Sequence, residues 1–533
     1  MLYIYASREE TRRHCIGYRP RRSSFQFSSP IAHENLLKKS SYNMSLQDIV
    51  EPEMVEELLV SHLKENNISC ENPRAWTIRY SNLGGRGMFA TRDIAANELI
   101  FIDAPLIVGP RCVGKHLEMC VCCYKSECPL FPCDRGCGLP ICSLECENSP
   151  KHVNYECNYL RSLVPTCGTD WSLNLLLAVI PIRALFMTEQ QRKCLAALQC
   201  DQTLTSQYEI NLLQRNVEKS PSEADVELMK RVCGAFNSNS FETVSVLDKD
   251  HSTSLRGLYP LGALQNHNCA PNTRHHFDEN YRLYVSATVP ISAGEELTMS
   301  YTSLFWDTTL RRQFLSITKH FSCTCKRCSD PTESGSMLCA LLCAFDNCSG
   351  NLLPRDPLRI GTPWVCDMCG KSINYRQICS IRSGLAAITE EALYKSPREI
   401  FKFMQKELFR IVPLSNYLII DMKFRIISYY GRTEGLEWAD LTDVELDTKS
   451  EYCNDLLSIL DVLNCGDCKK KGLILYELYC TNLEKFKRLR QEDTAKIRAD
   501  ENQRLLEKAM IILQNDVVSA AIIKHDQKYF KQC

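Results

Sequence analysis

The residues best placed to do chemistry in this sequence are its cysteines. Residues 120–157 carry Cys120-x2-Cys123, Cys133-x3-Cys137, Cys142-x3-Cys146 and His152-x4-Cys157. Those donors fill two tetrahedral zinc sites with four soft or borderline ligands each. A C-x2-C pair brings both sulfurs to one ion across a tight turn, and Cys142 and Cys146 stand at i and i+4, on one face of a helical turn. So short a segment cannot bury enough apolar area to fold alone, so metal supplies its folding free energy. The competing reading is a loop of unrelated thiols; this many donors in order weigh against it. Cys122 and Cys128 are spare thiols able to substitute. A second set, Cys323-x-Cys325-x2-Cys328, leaves one tetrahedral position open, and Asn266-His267-Asn268-Cys269-Ala270-Pro271-Asn272 offers Cys269. A third, Cys343-x4-Cys348 with Cys366-x2-Cys369, reads as a ribbon-like structural zinc site. The remaining cysteines read as small buried apolar residues or free thiols.

The elements that must position these groups come from a chain of 533 residues, too long for one core. Hydrophobic residues make up 44% and the formal net charge is -1, so nothing global points to nucleic acid or a membrane surface. The longest apolar run, Leu173 to Ile182, contains Asn174, ends at Arg183 and is too short to span a bilayer. With 31 cysteines and no secretory leader, the expectation is a reducing cell interior, cytoplasm and nucleus, where clustered cysteines mean metal. Residues 1–43 are basic and serine-containing. They read as a disordered leader, or as sequence upstream of a true start at Met44; a transit peptide is disfavoured by Glu9 and Glu10.

Residues 74–110 read as strands (WTIRYS, GGRGMFA, ELIFIDAPLIV), 158–232 as helices, and 233–303 as short strands separated by Pro260, Pro290 and Gly294. Beyond 380 the chain is helical. Ser396-Pro397 starts a helix whose Ile400, Met404, Leu408 and Ile411 share one face, and Gly431 stops the next. Further helices are expected near 453–463, 472–489 and 503–517. They stack as a solenoid-like unit or pack as a plain bundle; both readings stay open.

Taken together, the motifs resemble the SET-and-MYND (SMYD) family of protein-lysine methyltransferases, most closely its arthropod branch. The first cysteine set resembles a MYND finger. NHNCAPN matches the SET signature NHxCxPN, Cys323-x-Cys325-x2-Cys328 a post-SET motif, and Gly84–Ala90, Asn239-Ser240-Phe241, Leu258-Tyr259-Pro260 and Ser300-Tyr301-Thr302 the other SET pieces, in order. The resemblance implies an α+β chain: a β-rich SET fold split by a MYND finger and a helical insert, then post-SET zinc segments and an all-α C-terminal domain. The implied bounds are 1–73 leader and first helix, 74–119 first SET part, 120–157 MYND finger, 158–232 helical insert, 233–322 second SET part, 323–379 post-SET and ribbon, and 380–533 helical domain. One zinc would take Cys120, Cys123, Cys142 and Cys146; the second Cys133, Cys137, His152 and Cys157; a third Cys269 with Cys323, Cys325 and Cys328.

The implied activity is methyl transfer from S-adenosylmethionine to a target lysine of a histone or other protein. Tyr301 matches the catalytic tyrosine and a cofactor contact. Arg86, Asn239, Asn266, His267 and Phe321 match the remaining cofactor contacts. The expected partners are protein substrates and peptides docking on the MYND finger, with no membrane, no direct nucleic acid, and a monomeric chain. Two positions depart from the family pattern: Lys319 stands where active members often carry a second channel tyrosine, and Gln265 replaces the usual apolar residue. An inert SET scaffold serving protein interaction is therefore the alternative.

Overall fold

The computed structural model describes residues 51–69, 73–111, 118–200, 207–246, 252–345, 347–488 and 495–531. The basic stretch 1–43 and Met44 lie outside the described residues. No described helix is long and apolar enough to cross a membrane.

The strands run β1 (Trp76–Tyr80), β2 (Arg86–Ala90), β3 (Leu99–Asp103), β4 (Ile107–Pro110), the short hairpin β5 (Phe131–Pro132) and β6 (Pro140–Ile141), then β7 (Ser240–Val246), β8 (Ser252–Leu258), β9 (Asn266–His267), β10 (Thr273–Phe277), β11 (Leu283–Ala287) and β12 (Glu296–Met299). The last four, β13 (Leu341–Leu342), β14 (Asn351–Pro354), β15 (Trp364–Cys366) and β16 (Ser372–Ile373), form the ribbon. Three small sheets, ordered β1-β2-β12-β9, β10-β11-β3 and β4-β8-β7, enclose the first core. Period-two alternation drives this: Leu283, Val285 and Ala287 of β11 are fully buried, on one face of the strand. The Pro52–Glu65 helix adds Val55, Leu59 and Leu63 at i, i+4 and i+8 to the same core.

The insert is helical, as its pattern predicts, but its last helix, Glu223–Asn239, runs seven residues past the expected boundary at 232 before β7 begins. Ser222 caps it by accepting the Asp225 amide. The helix carries on through Gly234 because Val232, Ala235 and Phe236 are fully buried against Leu258 and Ile107.

The ribbon and the C-terminal helices share a second core, in which Leu341, Leu352 and Trp364 pack with Ile400, Met404 and Trp438. Ser396 accepts the Glu399 amide while the Glu399 carboxylate accepts from Ser396, a full capping box with Pro397 in the first turn. The helix ends at Lys406, and a tighter turn over Leu408–Arg410 rotates the residues beyond it. Ile400, Met404 and Leu408 are buried as expected. Ile411 is not, at 37% exposure, and Val412 takes the buried position, because the helical phase is lost at the tighter turn. Gly431 ends the Tyr417–Tyr429 helix at φ +87°, and the Trp438 ring would meet any Cβ there at 2.5 Å. The later helices are Asp443–Val462, Lys469–Arg488, Ala495–Leu513 and Val517–Lys531. The first begins ten residues before the expected start because Thr442 and Glu445 form a capping box.

Candidate active site and metal centres

Tyr301 is placed by strand pairing. β12 runs parallel to β9, with Thr298 beside Asn266 and Met299 beside His267, so the chain leaving β12 passes the His267 ring. The Tyr301 amide donates to His267 Nδ1 at 2.9 Å. An amide can only donate, so Nδ1 accepts and Nε2 carries the proton. That Nε2 faces Cys269 Sγ at 3.2 Å. Burial depresses the imidazole pKa to about 4, keeping it neutral. The Tyr301 hydroxyl donates to the Gln265 carbonyl at 2.7 Å, and burial, then Glu296, raise its pKa well above the usual phenol value.

The cofactor positions implied by resemblance fall in one region. The His267, Tyr301 and Phe321 rings lie 5.3 to 6.5 Å apart, with Phe321 partly exposed. Asn266 Nδ2 donates to the Arg86 carbonyl at 3.1 Å and to Glu296 at 2.8 Å, so its side chain clamps β2 to β12. The clamp explains Gly87: a Cβ there would meet Glu296 Oε1 at 2.2 Å, so its smallness serves protein packing. Arg86 Nη2 donates to the Ala197 carbonyl and Asn239 Nδ2 to the Gln199 carbonyl at 2.7 Å, so both hold the segment 197–199.

A cleft of about 610 Å³ opens in front of Tyr301, bordered by Phe241, Gln265, Met299 and Trp306. Asn239 also borders it; Arg86, Asn266, His267 and Phe321 do not. Lys319 points into it. Its Nζ donates to the Ser238 carbonyl at 2.6 Å and lies 5.7 Å from the Tyr301 ring centroid. Burial, then the Arg256 charge, depress its pKa to about 8. Gln265, the other departure, is satisfied: its Nε2 donates to Thr273 Oγ1 at 3.0 Å.

The sixteen expected metal-ligand residues converge in four groups: Cys120, Cys123, Cys142 and Cys146; Cys133, Cys137, His152 and Cys157; Cys269, Cys323, Cys325 and Cys328; Cys343, Cys348, Cys366 and Cys369. Within each group the donor atoms lie within 4.8 Å of one another. The donor sets fit tetrahedral zinc. In the second, His152 Nε2 faces Cys137 at 3.7 Å while Nδ1 lies 3.7 Å from the buried Glu156 carboxylate, close enough for ion pairing but too far for a hydrogen bond. Cys122 and Cys128 belong to none of the groups.

Sequence reading missed Arg311. Its Nε donates to Cys269 Sγ at 3.2 Å, Nη2 reaches Cys328 Sγ at 3.6 Å, and Nη1 pairs with the buried Glu333 at 2.6 Å. A signal was present: Arg311 and Leu315, four apart in the Thr308–Thr318 helix, share its buried face, and an arginine on such a face needs acceptors. Arg111, Arg256 and Lys470 on the cleft wall were missed because they come from distant elements.

The SET domain family matches residues 85–302. SET domain-containing protein SmydA-8, isoform B, of Drosophila melanogaster is 34% identical over 85% of this chain and 99% of its own length. The chain belongs to the SET-and-MYND family. N-lysine methyltransferase SMYD2-B of Xenopus laevis is 26% identical over 48% of this chain and 60% of its own, and histone-lysine N-methyltransferase SMYD3 of Mus musculus 27% over 48% and 61%. A solved SET domain of LSMT bound to lysine and AdoHcy aligns over 89% of this chain and 93% of that one, at 12% identity and TM-score 0.30, too loose a likeness to bear on the site. This SET-and-MYND chain is thus of a lysine methyltransferase class, mixed in helix and sheet, with cysteine groups suited to zinc.

Proposed function

We propose that this chain methylates lysine side chains of protein substrates. The observation that carries the reading is Tyr301, anchored at its amide by His267 and at its hydroxyl by Gln265, facing a cleft deep enough for a side chain. When bound, S-adenosylmethionine supplies an electrophilic methyl on a sulfonium. Asn239, Asn266, His267, Tyr301 and Phe321 would hold it, with Arg86 bracing the same wall through segment 197–199. Tyr301 aligns the target nitrogen, and most of the rate gain is this positioning. Burial of the target ammonium in the cleft beside the Lys319 ammonium favours its neutral, nucleophilic form.

We assign residues 120–157 to a MYND finger between two SET parts, binding two zinc ions and peptide partners. A third zinc is shared by Cys269 and the post-SET cysteines, and a fourth sits in the ribbon. The two SET parts span 74–119 and 233–322, the insert 158–232, the post-SET and ribbon segment 323–379 and the helical domain 380–533, with Glu223–Asn239 one continuous helix across the insert boundary. A monomer acting in cytoplasm and nucleus accords with the same reading. A second reading, a weakly active or inert interaction scaffold, is favoured by one observation, the Lys319 ammonium directed at the Tyr301 ring. Purified protein incubated with methyl-labelled S-adenosylmethionine, histones and cell extract tests the two. Label on a protein band, lost in Tyr301→Phe, supports the enzyme; no label on any protein favours the scaffold.

A further inference from the structure

Lys319 is held among the residues proposed to hold the methyl donor. It follows the Thr308–Thr318 helix, and His320 behind it takes the left-handed conformation, at φ +58°, that ends a helix and turns the chain back. The turn brings Phe321 beside the His267 and Tyr301 rings, at 6.0 and 6.5 Å between centroids. Lys319 Nζ stands 5.7 Å from the Tyr301 ring centroid and donates to the Ser238 carbonyl at 2.6 Å and the Asn237 carbonyl at 3.5 Å. Ser238 precedes Asn239, another proposed donor contact, and both line the cleft with Lys319 and Tyr301. The amine therefore stands where Tyr301, Asn239 and Phe321 draw together. Its hold is two neutral carbonyls at the end of a flexible four-carbon stem, so it can leave them without breaking an ion pair to either. With its pKa lowered to about 8, roughly a tenth of the chains carry a neutral Nζ at pH 7, far more than a free lysine allows.

We propose that Lys319 is itself a methyl acceptor, modified by the chain that carries it when no other lysine occupies the cleft. The proposal rests on the methyltransferase reading for its donor, S-adenosylmethionine. Nζ first loses a proton to water, then gives its lone pair to the methyl carbon. The carbon–sulfur bond breaks, its electron pair stays on sulfur as a neutral thioether, and Nζ becomes a methylammonium. Because the acceptor is tethered beside Tyr301, the step needs no encounter between proteins. A target lysine entering the cleft would compete with Lys319 for the same methyl.

Mass spectrometry of the full chain tests this. The protein would be incubated with deuteromethyl-labelled S-adenosylmethionine and no other substrate, then digested and mapped. Label should sit on Lys319, fall about a hundredfold or more in Tyr301→Phe, and accumulate at a rate per chain that does not change with protein concentration. Methyl groups already on Lys319 as purified, and absent from Tyr301→Phe, count the same way. Lys319→Arg should lose the incorporation. A second readout needs no turnover. Trace acetylation with acetic anhydride should modify Lys319, and saturating S-adenosylhomocysteine should remove most of that modification by covering the amine. Label only on other lysines, a rate that rises in proportion to protein concentration, or methylation of added histones with none on Lys319 would overturn the proposal. So would unchanged acetylation of Lys319 while calorimetry shows S-adenosylhomocysteine bound. No heat of binding together with no label on any protein would remove the methyltransferase reading, and this proposal with it.

Discussion

The two sides of Tyr301 are built in opposite ways. Behind it, His267, Cys269, Arg311 and Glu333 form a buried chain in which the thiol sulfur receives both Arg311 Nε and His267 Nε2 at 3.2 Å. In front lies an open cleft lined by cations from four distant stretches of chain. The buried side fixes where the tyrosine stands; the open side decides what reaches it. A substitution behind Tyr301 should therefore cost stability and activity together, and one in front should change selection or rate with little loss of fold.

The largest effect is expected from Cys269→Ser. It removes one soft ligand from a buried four-cysteine group and replaces the sulfur that accepts from the Arg311 guanidinium with a shorter, neutral hydroxyl. Breaking a buried charged contact in this way costs on the order of 3–5 kcal/mol. Metal analysis should fall from about four zinc per chain, one for each group, to about three. Melting should fall with it. Unchanged zinc and melting would remove Cys269 from the ligand set and the buried side from its anchoring role. Arg311→Met should come next. It keeps most of the volume but leaves Glu333 with Arg327 as its guanidinium partner, at 3.4 Å. A loss of about 2–4 kcal/mol, read by denaturant unfolding, is the outcome expected when the closer of a buried carboxylate's two guanidinium partners is removed.

On the open side the expectation concerns rate. Lys319 is cationic below its depressed pKa of about 8 and neutral above it. Turnover should therefore rise as pH passes about 8, more steeply than in Lys319→Tyr, which carries no such charge, and the variant should be the faster near neutral pH. Superimposable pH profiles would show that the ammonium does not govern the cleft. The smallest effect should come from Cys369→Ser in the ribbon. Cys369 is exposed, and its group draws backbone N–H donors from its own loop, Gly350 and Met368 each at 3.4 Å. About one zinc should be lost, with methyl transfer unchanged. A large drop in transfer would tie the ribbon to the site and erase the contrast.

The same contrast separates what was legible in the sequence from what was not. The cysteine pairs were legible because their short spacing brings two sulfurs together; which pairs share an ion, and that Cys269 joins Cys323, Cys325 and Cys328, came from the family resemblance. His267 and Cys269 were legible through the NHNCAPN heptapeptide that holds both. The front of the site was not: Arg111 stands beside β4, Arg256 on β8 and Lys470 at the start of a C-terminal helix, and no local pattern announces their convergence. Arg311 lay between, visible as a charge on a buried helical face but without its acceptors. The end of the Glu223–Asn239 helix was not legible for a similar reason, since the burial that carries it to Asn239 comes from strands elsewhere in the chain. Ile411 shows the limit of periodicity, which extrapolates a helix beyond the turn that ends it.

The most direct test of the account is methyl transfer itself, measured beside cofactor binding in the same preparations. Labelled S-adenosylmethionine and a lysine peptide would be offered to the parent and to Tyr301→Phe, with cofactor affinity followed by calorimetry. Label is expected on the parent's peptide, with a fall of about a hundredfold or more in the variant, as for loss of one positioned donor at a reacting centre, and cofactor affinity within several-fold. Equal labelling by both proteins, or cofactor binding with no labelling by either, would contradict it.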